Sequence, residues 1–140
     1  LKDLNQKKYF HNELKKMCNK HDKKYYPKYK KWCDEYFYLP HRNEARGIGG
    51  IFFDYKMDNW EKDFSFVKDV GITFDFLLKE IIRKNMFSKW TEKEKEIQLM
   101  KRGRYVEYNL LYDRGTKFGL NSGGNPEAIL MSMPPEAKWK

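Results

Sequence analysis

The sequence predicts an α+β fold in which an antiparallel β-sheet is flanked by α-helices. Three observations predict it. Apolar residues recur on a helical period in three separate stretches of the first two-thirds of the chain. The run from Arg104 to Tyr112 then changes character and is rich in Tyr, Val and Leu. A second apolar run, Ala128 to Met133, follows the loop signature Asn121-Ser122-Gly123-Gly124-Asn125-Pro126, and two such runs around a glycine-rich loop suggest antiparallel pairing.

Each element has its own signal. Phe10, Leu14, Met17 and Cys18 stand at i, i+4, i+7 and i+8, which predicts a helix from about Leu4 to Asn19. Pro27 suits a helical first turn. From there Tyr29, Trp32, Cys33, Tyr36 and Phe37 form a second stripe, and Pro40 ends that helix by about Leu39. Ile51-Phe52-Phe53 reads as a strand, and the glycines Gly47, Gly49 and Gly50 before it suggest a backbone approached closely by something else. Asp58 or Asn59 caps a short helix that reaches Val70 and stops at Gly71. A longer helix follows, with Phe74, Leu77, Leu78, Ile81 and Ile82 on one face. Thr91-Glu92-Lys93-Glu94 has the form of a capping box and starts a helix ending near Gly103. Arg104 to Tyr112 is then a strand, Asp113-Arg114-Gly115 a turn, Phe118 to Leu120 a continuation of the sheet, and Ala128 to Met133 the last strand.

The chain has 140 residues, enough for one domain that covers roughly two-thirds of its unfolded surface on folding. Aromatic residues make up 17%, which excludes a disordered tail. No apolar run approaches the ~20 residues of a membrane span, so no integral membrane segment is expected. Residues 1–20 hold no apolar core segment, so no signal peptide is expected there. Cys18 and Cys33 are too few for a disulfide scaffold and read as buried thiols in a reducing compartment. The net charge is +9, and residues 1–31 alone carry 11 Lys against Asp3, Glu13 and Asp22. Such a balance favours anionic partners: nucleic acid, a lipid surface or a polycarboxylate ligand. A solvated lysine-rich helix face is the plain alternative.

Several groups carry chemistry. Asp113-Arg114 puts an anion beside a fixed cation, although Asp-Arg-Gly by itself is an ordinary turn. Arg42, Glu44 and Arg46 share one face if the segment is extended and then form a charge network, or else Arg46 meets a carboxylate. Gly47-Ile48-Gly49-Gly50 lacks the third glycine of a dinucleotide fingerprint and precedes no helix, so no nicotinamide cofactor is implied. Trp32, Tyr36 and Phe37 lie on a helix stripe and read as core. His21 sits in a Lys-rich stretch and reads as a surface residue.

Long ordered strings carry a resemblance. They are Tyr29-Lys30-Lys31-Trp32-Cys33-Asp34-Glu35-Tyr36-Phe37, His41-Arg42-Asn43-Glu44-Ala45-Arg46-Gly47-Ile48-Gly49-Gly50-Ile51-Phe52-Phe53-Asp54, Arg102-Gly103-Arg104-Tyr105-Val106-Glu107-Tyr108-Asn109-Leu110, and Tyr112-Asp113-Arg114-Gly115-Thr116 continuing to Ile129-Leu130-Met131-Ser132-Met133-Pro134. In them the chain resembles the oxygen-dependent coproporphyrinogen oxidases of haem biosynthesis. The resemblance spans nearly all of residues 1–140 but corresponds to the C-terminal half of the family's usual length. The expectation is therefore the C-terminal portion of a larger single-domain fold, with the N-terminal part missing and the isolated fragment inactive.

The resemblance implies an oxidative decarboxylation that turns two propionates of coproporphyrinogen III into vinyl groups, giving protoporphyrinogen IX. Dioxygen is the co-substrate, no organic cofactor is required, and carbon dioxide and hydrogen peroxide leave. It implies Asp113 and Arg114 as catalytic residues: the carboxylate receives pyrrole N–H groups and helps remove a proton, and the guanidinium holds a propionate. It implies substrate contacts at Gly123, Gly124 and Asn125; Arg46 is a substrate-binding candidate from its charge, as the alternative to the charge network. Many members carry Arg at the position of Asn125, so a cationic anchor is absent here. His11 and His41 correspond to positions assigned in some members to a divalent metal; a polar structural or substrate-facing role is the alternative. The family implies a homodimer, and apolar residues on both faces of a strand at 104–112 point the same way. The expected compartment is the cytoplasm, with the mitochondrial intermembrane space as alternative. Two other readings stand beside the enzyme: a basic, aromatic-rich nucleic-acid-binding module, and an inactive dimerising fragment. The enzyme reading expects no nucleic-acid partner.

Overall fold

The structure, a computed structural model, describes residues 3–139. It is mostly helical, with six helices and a two-stranded antiparallel sheet: α1 (Leu4–His21), α2 (Tyr25–Tyr36), β1 (Tyr38–Leu39), a 3-10 turn (Pro40–Arg42), β2 (Glu44–Ala45), α3 (Trp60–Asn85), α4 (Glu92–Leu111), α5 (Arg114–Asn121) and α6 (Pro126–Leu130). The described residues form two compact units. The first contains α1, α2, the segment 48–59 and α3; the second contains the β1–β2 hairpin, with its flanking residues 37–47, and everything from residue 89 onward.

The first unit follows its apolar stripes. Asp3 caps α1 by accepting from the Asn5 amide, and Leu14, Met17 and Cys18 are its buried face, as the spacing predicts. On α2, Tyr29 and Cys33 are buried, and Pro27 lies in the first turn. Phe66 of α3 is fully buried and sits at the centre of an aromatic cluster, with ring centroids 4.9 Å from Tyr25, 5.8 Å from Tyr29 and 5.1 Å from Phe53. Such edge and tilted contacts add to the area they bury.

Two expectations fail in this unit. Ile51-Phe52-Phe53 has no regular secondary structure and pairs with no strand among the described residues. The Phe52 amide donates to the Tyr29 carbonyl at 3.1 Å, and its ring stacks 4.5 Å from that of Tyr36. The run is covered by aromatic packing rather than by a sheet. Gly71 does not stop a helix either: α3 runs on for 26 residues from its Asn59 cap. A mid-helix glycine costs about 1 kcal/mol relative to Ala. Burial of Phe66 and Leu77 on either side of it offsets that cost.

Of the three glycines expected to be closely approached, Gly49 is, while Gly47 and Gly50 have nothing within 4 Å of where a Cβ would stand. His11 on α1 bonds through Nε2 to the Ile48 carbonyl at 2.8 Å and through Nδ1 to the Tyr26 hydroxyl at 3.1 Å. A carbonyl only accepts, so Nε2 carries the proton and Nδ1 accepts from the phenol. Gly49 has φ +75°, and a Cβ there would lie 2.8 Å from Asp34 Oδ1. Gly49→Ala is therefore expected to destabilise the first unit by roughly 1–3 kcal/mol in urea titrations. Gly50→Ala, with open space around its Cβ, should stay within about 0.5 kcal/mol. Equal effects at the two positions would remove the conformational argument.

In the second unit the expected sheet is replaced by helices. Residues 104–111 continue α4 instead of forming a strand. The Thr91/Glu94 capping box forms as predicted, with both reciprocal bonds, and the helix it starts runs straight through Gly103. Gly103 is a packing notch: a Cβ there would lie 2.5 Å from the Lys138 carbonyl oxygen. The apparent alternation of Val106, Tyr108 and Leu110 contains a single β-branched residue. Helical spacing instead sets Arg104, Glu107 and Tyr108 together on one face. Residues 118–120 belong to α5, and Ala128–Leu130 to α6 rather than to strands. Asn125-Pro126-Glu127, read as the end of a loop, is a helix start: Asn125 accepts from the Glu127 amide, Pro126 is in the first turn and Glu127 adds a favourable charge. The two-stranded sheet lies where a helix end was expected, with Tyr38 opposite Ala45 and Leu39 opposite Glu44. The two-faced-sheet argument for a dimer loses its premise here.

Candidate functional site

In the second unit one carboxylate organises the polar side chains. Glu107, on α4, accepts from Arg42 Nε at 3.0 Å and Nη2 at 2.6 Å, a bidentate pair, and from His41 Nε2 at 2.7 Å; Arg104 Nη1 stands 3.5 Å away. The Arg42 hydrogen bonds dominate over burial, which acts in the opposite direction, and His41 adds to them. Together they push the Glu107 carboxyl down to about 2. Arg42 is correspondingly raised by Glu107. Glu44 in β2 accepts from Arg104 Nε at 2.6 Å and from Lys101 at 3.3 Å, and these bonds lower its pKa. The network expected within Arg42, Glu44 and Arg46 does not form as such: Arg42 and Glu44 each pair with a counter-charge on α4 instead. Arg46 goes elsewhere. Its guanidinium carbon lies 4.2 Å from the centroid of Phe37, 5.3 Å from Tyr105 and 5.2 Å from Tyr108. Stacking of this kind fixes the plane of the group while its N–H edge stays available to a carboxylate.

His41 Nδ1 is 2.8 Å from the Tyr112 hydroxyl. Glu107 accepts the Nε2 proton, which leaves Nδ1 facing the Tyr112 hydroxyl. Tyr112 caps the end of α4, and the next residue begins α5. Asp113 is the N-cap of α5: its Oδ2 accepts from the Thr116 amide at 2.7 Å. Arg114 is the first residue of that helix and is exposed. The Asp113-Arg114 pair therefore sits at a helix start, anion and cation adjacent, and the turn expected from Asp-Arg-Gly is a capping turn.

Gly123 has φ +74°, the left-handed region in which glycine is preferred, and the Gly124 amide donates to the Gly119 carbonyl at 3.0 Å. That amide closes the end of α5, so it is committed to the protein. Asn125 is likewise committed as the cap of α6. An arginine could not cap in this way, which gives the Asn at this position a structural reason.

His11 belongs to the first unit and His41 to the second. Each ring has a protein partner at both nitrogens. Among the described residues no three His, Cys, Asp or Glu side chains are placed to hold a metal ion. The two histidines as folded do not fit a metal site, because a metal would have to displace a hydrogen bond at each. His21 is less superficial than expected: its Nε2 pairs with Asp69 at 2.8 Å, and its ring meets Phe66 edge-on at 5.4 Å.

Sequence reasoning missed Glu107 as a hub and Lys56–Asp63 as a buried pair. Burial alone would push Lys56 down, yet hydrogen bonds to Asp63 and Tyr25 override it, and the ammonium stays above its ordinary value. Lys56 is thereby a staple between the segment 48–59 and α3. The i,i+3 spacing of Arg104 and Glu107 was the available signal for the hub, hidden by the strand reading.

Comparison with known proteins supplies the family. The family model described as coproporphyrinogen III oxidase matches residues 2–140. A Rickettsia bellii protein named oxygen-dependent coproporphyrinogen-III oxidase is 61% identical over 131 residues, which is 93% of this chain and 47% of that protein. Proteins of the same name from Rickettsia akari and Rickettsia rickettsii are 59% and 60% identical, covering 96% and 93% of this chain and 49% and 47% of their own lengths. The chain spans about half the length of these curated relatives.

Proposed function

Since the chain belongs to the coproporphyrinogen III oxidase family, we propose that it is half of an oxygen-dependent enzyme of porphyrin biosynthesis acting on coproporphyrinogen III. The observation that carries the reading is the match over residues 2–140 together with about 60% identity to relatives of that name. In the reaction each propionate and one dioxygen give a vinyl group, carbon dioxide and hydrogen peroxide. The C–COOH bond and one C–H bond break, the vinyl C=C forms, and two electrons pass to dioxygen. Asp113 at the start of α5 lowers the cost of partial positive charge on the pyrrole nitrogens or takes a proton from one. Arg114 beside it forms the fork for a propionate carboxylate, and Arg46, its plane set by three aromatic rings, offers a second. The Gly123–Asn125 segment contributes shape, since Gly124 N–H and the Asn125 side chain are engaged internally. No step runs through a metal. We further propose a homodimer in the cytoplasm. Among the described residues no helix is long and apolar enough to cross a membrane.

The test is a full-length protein incubated with coproporphyrinogen III under air and under argon, with products separated by chromatography. Divinyl product that forms under air and is absent under argon is the expected result. A folded, full-length protein that yields none under air would reject the reading.

A further inference from the structure

Helix α3 has two apolar faces. On one, Phe66 and Leu77 are fully buried and Val70 packs on the core of the first unit. On the other, Trp60, Phe64, Val67, Phe74, Leu78 and Ile82 follow each other at helical spacing, and each is between 44% and 77% exposed. Gly71 completes the row between Val67 and Phe74, with nothing within 4 Å of where its Cβ would stand. The row has no charged position and extends for about 33 Å at 1.5 Å per residue. A surface helix carries one apolar stripe; a helix apolar on a second face belongs to an interior. Uncovered rows of this length mark interaction surfaces.

We propose that this second face of α3 is covered, in the complete protein, by the half of the polypeptide that the relatives possess and this chain does not span. The half-length coverage of relatives at about 60% identity supplies the occupant: a polypeptide of comparable size that these relatives carry in the same chain. The resemblance puts it N-terminal. The flank of the row favours protein over lipid. Glu61, Lys68, Asp75 and Lys79 border it with alternating sign, and Asp75 pairs with Lys79 at 2.6 Å. A helix lying on an anionic membrane carries a Lys/Arg-dominated border instead. The inference rests on family membership and not on the chemistry proposed for Asp113 and Arg114, so either can fail without the other.

The experiment co-expresses this chain with the portion of the Rickettsia bellii protein that the match leaves uncovered. A one-to-one complex is expected. Phe74→Ser with Leu78→Ser should weaken it by roughly 30-fold or more, as loss of central apolar anchors does. Phe76→Ser, exposed but off the row, should change it by less than about 3-fold. Since the complementary half can fail to fold alone, a second measurement uses a chimera in which this chain replaces the matched half of the Rickettsia bellii protein. A Leu78→Cys thiol should react with maleimide roughly 100-fold more slowly in the chimera than in the chain by itself. The native thiols, Cys18 and Cys33, are buried and serve as the background. Equal labelling rates would overturn the proposal. So would self-association of the chain, or its binding to phosphatidylglycerol vesicles, if the double Ser variant abolished either.

Discussion

Asp113→Asn in the full-length protein is expected to lower turnover about 100-fold while the melting temperature stays within the error of the wild type. The structure makes this a clean separation. Asp113 accepts the Thr116 amide as the cap of α5, and Asn caps a helix as well as Asp does. The substitution therefore preserves the helix start and removes only the anion. Asp113→Ala removes both and should in addition cost about 1 kcal/mol of stability. Arg114→Lys keeps the charge but loses the planar fork, so KM should rise and kcat fall together. A small displacement of the held propionate is enough for a further loss of about 100-fold. A residue that merely caps behaves differently: Asn would be active, and only Ala would suffer, in proportion to its unfolded fraction. Single-turnover rates measured beside thermal melts distinguish the two. Near-normal turnover in Asp113→Asn would take Asp113 out of the mechanism.

Glu107→Gln should destabilise the second unit by about 3 kcal/mol at neutral pH, because it takes from Arg42 the carboxylate that holds its fork, whereas Arg104 keeps Glu44. The Glu107 side chain is only 10% exposed, so water compensates little. The pH dependence identifies the cause. With Arg42 first among its partners, Glu107 is held down at about 2 against an ordinary 4.5. A depressed carboxyl stabilises the fold fully above its unfolded pKa and loses that contribution as pH falls through its folded one. The loss in the wild type should thus lie between about pH 4.5 and pH 2, on the order of 3 kcal/mol. Gln has no such titration, so the two unfolding free energies should converge near pH 2. A variant as far below the wild type at pH 2 as at pH 7 would show a packing defect instead.

The same network explains why the charge pattern was legible but its geometry was not. Arg42 and Glu44 were readable as ion-pair partners, since charged side chains buried in part must be paired. Their partners, Glu107 and Arg104, are some 60 residues away in sequence, and no local pattern links positions that far apart. The resemblance leaves His41 two readings, a metal ligand or a polar structural or substrate-facing group. The structure spends both its nitrogens, on Glu107 and Tyr112. His11 has the same two readings, and it ties α1 to the Ile48 carbonyl. In a single sequence the two uses of an imidazole look alike.

What the sequence determined by itself is what short-range physics controls. The stripes of α1 and α2, the Asn59 cap, the Thr91/Glu94 capping box and the close approach at Gly49 depend on residues within a turn or two of one another. Each was legible from spacing. The family, too, was carried by contiguous strings. What the tertiary structure decided is whether those local signals are obeyed or overridden. Gly71 and Gly103 looked like helix ends, yet both are interior to long helices. At Gly71 the burial of Phe66 and Leu77 outweighs the entropy of one glycine. At Gly103 the absent side chain makes room for the Lys138 carbonyl. The aromatic runs at 51–53 and 104–112 had strand composition, but β-propensity largely records burial on a pleated surface. The buried surfaces here are an aromatic cluster around Phe66 and the packed face of α4, and neither offers a strand edge to pair with.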